Sequence, residues 1–412
     1  MPTISDREVL IKELDSFLKF MAMMDEDESD DFIDVMEYRV SIEGCRYINL
    51  RTYETKKQSL NDMMWQYSDS AFRQTVRMDK ASFIAILRKI SPHQVFHRST
   101  RNRYKTYYKK QTPIWIQLMV TLTRLGCHGN GVSLGRVGRN CGYSSGTVVL
   151  FTQRVFTAIK TIRKEFIFWP DANERIKISE RFKNKFGIPG VGVIDGTHII
   201  LSQRPHIDGE TYWCRKMFYS TNVLLVCDDT GRIRHYIIGW PGSLFDNNIF
   251  EKTNLSKHPE NYFSSNEFLL ADAGFALKLF CLTPYRNPAA TLPENEMFNF
   301  YFSSARTIIE HVNGILKNRF SSLRGIRTQV KTKEDFVAIN DHIVVCLILH
   351  NMLLSLKDEW DEDDDDDSFV DDDDNAEAEE AARYENNNDN ESPAEHRHRI
   401  QNALLEWVRR NT

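Results

Sequence analysis

Four acidic side chains between residues 195 and 310 stand where a carboxylate is either costly or pointed. Asp195 lies inside VGVIDGTHIIL, residues 191–201. Apolar residues on both phases of the alternation mark a strand covered on both faces. An ionised carboxylate held there is unfavourable by several kcal/mol unless a cation meets it. One answer is an internal Lys or Arg, or a strand end at which Asp195 caps the GTH turn. The other is a divalent metal ion, which requires more carboxylates downstream. Asp272 supplies one, in ADAG after the short apolar run 268–270, and Glu310 another, within SSARTIIEHVNGILKNRF at 303–320. Asp246 follows Pro241-Gly242-Ser243 and enters the first turn of a helix at 245–250, where a carboxylate complements the helix dipole. Such oxygen donors suit a hard cation, Mg2+ or Mn2+. Two ions about 3.5 to 4 Å apart activate a water and stabilise the leaving oxygen in phosphodiester cleavage. No Cys/His set competes for a softer metal.

The elements that must position these acids follow from periodicity. The runs 191–201, 219–227 and 233–239 read as strands, the last two joined into a hairpin by the DDTG turn at 228–231. A fourth, short strand at 268–270 carries Asp272 at its tip. Residues 303–320 read as a helix capped by Ser303 or Ser304. Its apolar face holds Ile309, Val312 and Leu316, and Arg306, Glu310, Asn313 and Lys317 share one polar stripe. Glu310 is then either an exposed partner of Arg306, contributing about 0.3 to 0.5 kcal/mol, or a third acid turned toward the strand ends of Asp195 and Asp272. A helix at 333–356 covers the sheet. Its apolar stretch 343–356 holds His350 and Asn351 and is too short for a membrane span, so it reads as a buried helix.

Charge is unevenly divided. The chain as a whole carries −5, but residues 1–35 carry −8 and residues 358–391 carry −18, which leaves +21 on the remainder. A basic excess of that size is the electrostatic footprint of a nucleic-acid binder, set against the plainer reading of a well-solvated Lys/Arg surface. The acidic segment, with DEDDDDD at 361–367 and DDDD at 371–374, has nothing with which to build a core and is expected to be disordered. It suits a phosphate mimic for the basic remainder or a landing site for a basic partner. Seven scattered cysteines without a CxxC pair favour a reducing compartment and argue against a zinc site or a disulfide framework. Asp6, Arg7 and Glu8 occupy the place where a secretory signal would turn apolar.

In the first half, helical periodicity from Ser5 to Met24 gives way to DEDESDD, and paired helices begin near Met63. Residues 96–110, FHRSTRNRYKTYYKK, interleave Tyr104, Tyr107 and Tyr108 with Arg98, Arg101, Arg103, Lys105, Lys109 and Lys110. Rings that stack and cations that meet phosphates suit a DNA-contacting loop, although a solvated basic loop has the same composition. A helix from Pro113 to Leu125 is followed by a short helix at 132–140, a turn at 141–144 and a longer helix capped by Ser145. That is the outline of a helix-turn-helix, and equally of three packed helices that read no bases.

Taken in order, DGTHI (195–199), CRKMFYSTNVLLVCD (214–228), PGSLFDNNIF (241–250), LLADAGF (269–275), LTPY (282–285), FNFYFSSARTIIEHVNGILKNRF (298–320) and CLILHNM (346–352) resemble the motif series of the PIF/Harbinger transposases and their host-domesticated nuclease relatives. The resemblance covers roughly residues 60 to 356, and the ordered succession makes it specific where a single motif would not be. It implies an α/β fold with an RNase H-like mixed sheet flanked by helices, preceded by an all-helical region with a candidate helix-turn-helix. It also implies a DDE metal site, with Asp195 on the family's first acid, Asp272 on the second and Glu310 on the third. Asp246 falls on a further acidic position in the PGS motif, a supporting group, as is Arg306, while Arg215 and Lys216 fall on an Arg-Lys pair suited to phosphate contact. Lys317 on the helix stripe joins them. Met217 replaces a frequent Gly, and Leu244-Phe245 stands where a His often precedes the Asp.

The expectation is therefore a nuclear metal-dependent nuclease or transposase, free to form oligomers, that cuts DNA at transposon ends with a Myb-like DNA-binding partner and no membrane. The alternative is a domesticated, non-cleaving DNA-binding or adaptor protein. Five segments are expected: an acidic stretch at 1–60, a helical region at 61–175, the nuclease domain at 176–357, the acidic segment at 358–392 and a C-terminal helix at 393–412.

Overall fold

The computed structural model describes residues 6–24, 29–45, 66–97, 111–360 and 391–411. They fall into two compact units, Met1–Lys56 and Lys57–Thr412. In the first, α1 (Asp6–Met23) and α2 (Asp30–Gly44) form a helical hairpin that buries Leu18, Met21 and Ile42. Helical structure thus resumes after the acidic DEDESDD stretch, where the sequence reading ended it. Ser29 is the N-cap of α2, its Oγ accepting the Phe32 N–H at 3.2 Å, and Asp30 and Asp31 lie in the first turn, where negative charge stabilises a helix.

In the second unit, α3 (Asp69–Val76), α4 (Lys80–Ile90), α5 (Ile114–Leu125), α6 (Leu134–Cys141), α7 (Ser145–Thr161), the single turn α8 (Arg163–Phe166) and α9 (Ala172–Phe186) precede the sheet. Between α6 and α7 the chain reverses at Gly142, whose φ of +73° is open to glycine at little cost. The cap of α7 is Ser144, one residue before the one expected, with its Oγ accepting the Thr147 N–H. Val148, Phe151, Val155 and Ile159 are buried at helical spacing, which fixes the face α7 turns to the core.

The sheet consists of β1 (Gly192–Ile200), β2 (Ser220–Cys227), β3 (Ile233–Pro241), β4 (Leu269–Leu270) and β5 (Cys281–Leu282), in the order β3-β2-β1-β4-β5. β2 runs antiparallel to both β1 and β3, while β4 is parallel to β1 and β5 to β4. Only β2 opposes the common direction, which is the RNase H-like mixed arrangement. The short helices α10 (Asp246–Phe250) and α11 (Asn254–Lys257) lie between β3 and β4, and α12 (Pro293–Arg319), α13 (Lys333–Ser355) and α14 (Pro393–Asn411) follow β5.

The helix α12 starts ten residues before the Ser303 expected to cap it. The buried stripe Phe298, Phe302, Ala305, Ile309, Val312 and Leu316 keeps the three-and-four spacing back through FNFYF, and Pro293, which needs no N–H partner, opens the first turn. One continuous hydrophobic core joins Phe72 on α3, Phe151 on α7, Val193 on β1, Ile343 on α13 and Leu404 on α14, so the core runs unbroken across the boundary expected at residue 175. By length and composition α13 could cross a membrane, and 72% of its most apolar stretch is buried within the protein. Asn351 pins it to β3: its Oδ1 accepts the Ile233 N–H, and its Nδ2 donates to the Ile233 and Phe166 carbonyls.

The first residues of the acidic segment expected from 358 are packed against the helices. Asp358 is buried, accepting from Arg73 at 2.9 Å and from the Asp79 N–H at 2.9 Å, and Trp360 is enclosed by the guanidinium groups of Arg73, Arg77 and Arg319 at 5.1 to 5.7 Å. A carboxylate met by two arginines and a backbone N–H, beside a ring that attracts cations, is a packed element rather than a solvated tail. Residues 361–390, and the basic loop positions Arg101, Arg103, Lys105, Lys109 and Lys110, lie outside the described residues.

Candidate active site

Strand register brings the first two acids together. Gly192 pairs with Leu269 and Val193 with Leu270 in parallel register, and the same step continued by two residues sets Asp195 beside Asp272, on the same phase of the pleat. Asp272 leaves the strand in a tight turn, its Oδ1 accepting the Gly274 N–H at 2.7 Å. Asp195 is largely enclosed, with 17% of its side chain exposed.

Asp246 arrives from the β3–α10 connection. Asn222, the polar residue in the middle of β2, donates its Nδ2 to the Leu244 carbonyl at 3.0 Å and to Asp246 Oδ1 at 2.7 Å. The carboxylate is thereby pressed against β1 next to Asp195, where a Cβ on Gly196 would overlap it. A glycine is needed at 196 for that close approach. One residue further, Asn247 Oδ1 accepts the Ala276 N–H at 2.9 Å and staples this turn to the loop that carries Asp272.

The neighbouring acids and their burial disfavour ionisation of Asp195 and of Asp246. Burial, with the charges of Asp246 and Asp272 added, pushes Asp195 up to about 8 against the pull of Arg306. Burial also pushes Asp246 up to about 6, with Asp272 adding to it and the Asn222 hydrogen bond and Arg215 opposing it. Arg306 on α12 places Nη2 at 3.6 Å from Asp195 Oδ1, and its Nε is buried without a hydrogen-bond partner. The internal-arginine answer to the lone strand acid is therefore present, and Arg306 pairs with Asp195 rather than with Glu310.

Glu310 lies one turn beyond Arg306 on α12, exposed, and it is not among the principal charges acting on Asp195 or Asp246. Arg215 is exposed and close enough to act on Asp246, and Lys216 and Lys317 are half-buried. Met217 adopts a left-handed φ of +64°, the conformation that explains the glycine frequent at this place in the resembling family. Sequence reasoning missed Asn222, Gly196 and Asn247. The signal for Asn222 was a single amide next to the apolar run VLLVC in the strand STNVLLVC.

The donor set fits a hard divalent cation. Its atoms are carboxylate oxygens whose mutual repulsion a cation relieves, and Asn222 Oδ1 is buried beside them without a partner. Among the described residues no three His, Cys, Asp or Glu side chains converge on one point, and the Arg306 guanidinium is the cation that Asp195 meets.

Residues 194–351 match the family model of the DDE superfamily endonucleases. The Bos taurus and Homo sapiens proteins named "Putative nuclease HARBI1" are each 29% identical over 237 residues, which is 57% of this chain and 66% of theirs. The Arabidopsis thaliana "Protein ALP1-like" is 28% identical over 264 residues, 59% of this chain and 61% of its own. The chain thus spans just under two thirds of the length of these curated relatives. No solved structure matches it. The motif succession, the β3-β2-β1-β4-β5 sheet, the clustered aspartates and the match over residues 194–351 agree: this part of the chain is similar to the DDE superfamily endonucleases and to the Harbinger-derived nucleases among them.

Proposed function

We propose that this chain is a metal-dependent DNA nuclease of the transposase type, cutting phosphodiester bonds at transposon ends through Asp195, Asp272 and Glu310. The observation that carries the reading is the crowding of Asp195, Asp246 and Asp272 at one end of the sheet, where burial and like charge push Asp195 up to about 8. A fold keeps acids in that state where a cation or a proton is to be taken up. In this reading Asp195 on β1 and Asp272 just past β4 are neighbouring ligands, and Glu310 on α12 would have to turn toward them to complete the set. Asp246, oriented by Asn222, supports them. Mg2+ or Mn2+ held there would polarise an attacking water and supply a charge for the leaving oxygen. Arg215, Lys216 and Lys317 meet substrate phosphates, and the composition of the basic stretch with Arg101, Arg103, Lys105, Lys109 and Lys110 suits further phosphate contact. A Myb-like DNA-binding partner supplies site recognition, the nucleus is the place of action, and strand transfer follows cleavage.

A second reading, a domesticated non-cleaving nuclear DNA-binding or adaptor protein on the same fold, is favoured by one observation: Arg306 already answers Asp195, while Glu310 is exposed. Calorimetric titration of the wild type and of Asp195→Ala with Mn2+ separates the two. Binding by the wild type that the variant loses supports the nuclease. Equal binding by both proteins sinks the metal site.

A further inference from the structure

The helical hairpin α1–α2 carries more apolar surface than its own contact uses. Each helix has two apolar stripes. One faces the other helix and buries Leu18, Met21 and Ile42. The second is exposed and repeats with the same spacing on both helices: Phe17 and Phe20 on α1 with Met24 just past its end at 50%, 59% and 59% exposure, and Ile33, Met36 and Val40 on α2 at 49%, 43% and 57%. Positions i, i+3 and i+7 are those a partner helix reads along a groove. On α2 the stripe forms an open groove of about 500 Å³ lined by Phe32, Ile33, Met36, Glu37, Val40 and Ser41.

The rim is acidic. Residues 6–45 hold 13 Asp and Glu against 4 Lys and Arg, net −9. Two of the four cations are engaged inside the hairpin: Arg39 with Asp15 and Glu43, and Arg7 with the Ile42 and Glu43 carbonyls. A second copy would bring −9 against −9, which opposes self-association, whereas a basic helix gains on both the apolar and the charged account.

We propose that the α1–α2 hairpin is a docking module for a basic amphipathic helix of a partner protein, with the Ile33, Met36 and Val40 stripe as its apolar floor and Glu37 on its rim. This inference stands apart from the active site, and its test reads no cleavage.

The probe is a fluorescein-labelled synthetic peptide of about 18 residues, five helical turns, with Leu at i, i+3, i+7 spacing and Lys or Arg elsewhere. It is titrated with the full-length chain in about 0.15 M salt. A scrambled peptide of the same composition should bind at least about tenfold more weakly, and so should the original peptide to the Ile33→Ser, Met36→Ser, Val40→Ser variant, whose charge is unchanged. Deleting residues 361–390 removes the other acidic stretch and should leave both differences in place. Because the triple variant alters the hairpin itself, Asp34→Lys with Glu37→Lys is the second arm: it keeps the apolar floor and should lose the basic peptide while gaining one with Glu in place of each Lys or Arg. Equal binding of the scrambled peptide, or undiminished binding by the triple variant, overturns the proposal. So does a dimer of the wild type that the triple variant dissolves, since the occupant is then a second copy. A fall in melting temperature in the triple variant, with no peptide bound by the wild type, overturns it in favour of coverage by the chain's own body.

Discussion

Arg306 Nη2 stands 3.6 Å from Asp195 Oδ1, with the two side chains 16% and 17% exposed, so a helix guanidinium holds the charge balance of a strand acid that two further aspartates crowd. The pair makes Arg306 both a structural counter-charge and a competitor for whatever cation the acids take. Above about pH 8, where Asp195 is ionised, Arg306→Gln should therefore lower metal-free stability by about 1 to 3 kcal/mol, as breaking an enclosed charged pair does, and at the same time tighten Mn2+ binding. Urea unfolding and calorimetry check the two effects separately. A variant that loses stability and also binds Mn2+ less well would make Arg306 a ligand-positioning group instead of a competitor.

Two buried histidines should set the acid limit of the fold. Burial, with a small push from Arg124, lowers His342 to about 3, and burial lowers His350 to about 4. His342 Nε2 lies 2.9 Å from Ser322 Oγ, and His350 Nε2–H donates to the Gly231 carbonyl at 3.1 Å. Both folded values lie below the ordinary one near 6.5, so the unfolded chain takes up protons first. Their stabilisation is complete above about pH 6.5 and is lost as pH falls toward 4 and then 3, roughly 2 kcal/mol for each residue by pH 5. In urea unfolding at pH 7.5 and pH 5, His342→Gln should lose less stability between the two than the wild type. Parallel losses would place the acid limit elsewhere.

Asn351 should be among the costliest polar positions to change. It is fully buried and satisfies three backbone groups, the N–H and C=O of Ile233 at the start of β3 and the C=O of Phe166 after α8. Asn351→Leu keeps the volume but strands all three, an expected loss of about 2 to 4 kcal/mol in denaturant titration. A loss near that of a surface substitution would mean that water replaces the amide.

Much of the architecture was legible because it rests on local pattern. The buried run around Asp195, the DDTG hairpin and the Gly142 turn are each specified within about ten residues, and the structure places β1, β2, β3 and α7 within two residues of expectation. What escaped the sequence depends on distant partners. The start of α12 at Pro293 is set by Phe298 and Phe302 meeting a core assembled from many segments, and the anchoring of Asp358 and Trp360 depends on arginines far off in the chain, Arg73 lying 285 positions from Asp358. At the site, the neighbourhood of Asp195 and Asp272 follows from parallel register. Asn222 and Gly196 gain their roles only once β2 and the Asp246 turn close over β1. The pairing of Arg306 with Asp195 was hidden for the same reason, because periodicity offered the neighbour four residues along the helix as the nearer partner.

The central claim is that Glu310, exposed on α12, is the third acid of a working site. The most direct measurement is cleavage of a duplex carrying the transposon ends in Mg2+, with the DNA-binding partner present, by the wild type and by Glu310→Gln. The substitution keeps shape and helix propensity, so melting temperature and DNA affinity should be unchanged, and as a mere surface residue Glu310 would contribute at most about 0.5 kcal/mol. The account predicts cutting by the wild type and a loss of orders of magnitude in the variant. Wild-type cleavage by Glu310→Gln would contradict the triad, and no cleavage by the wild type would contradict the nuclease itself.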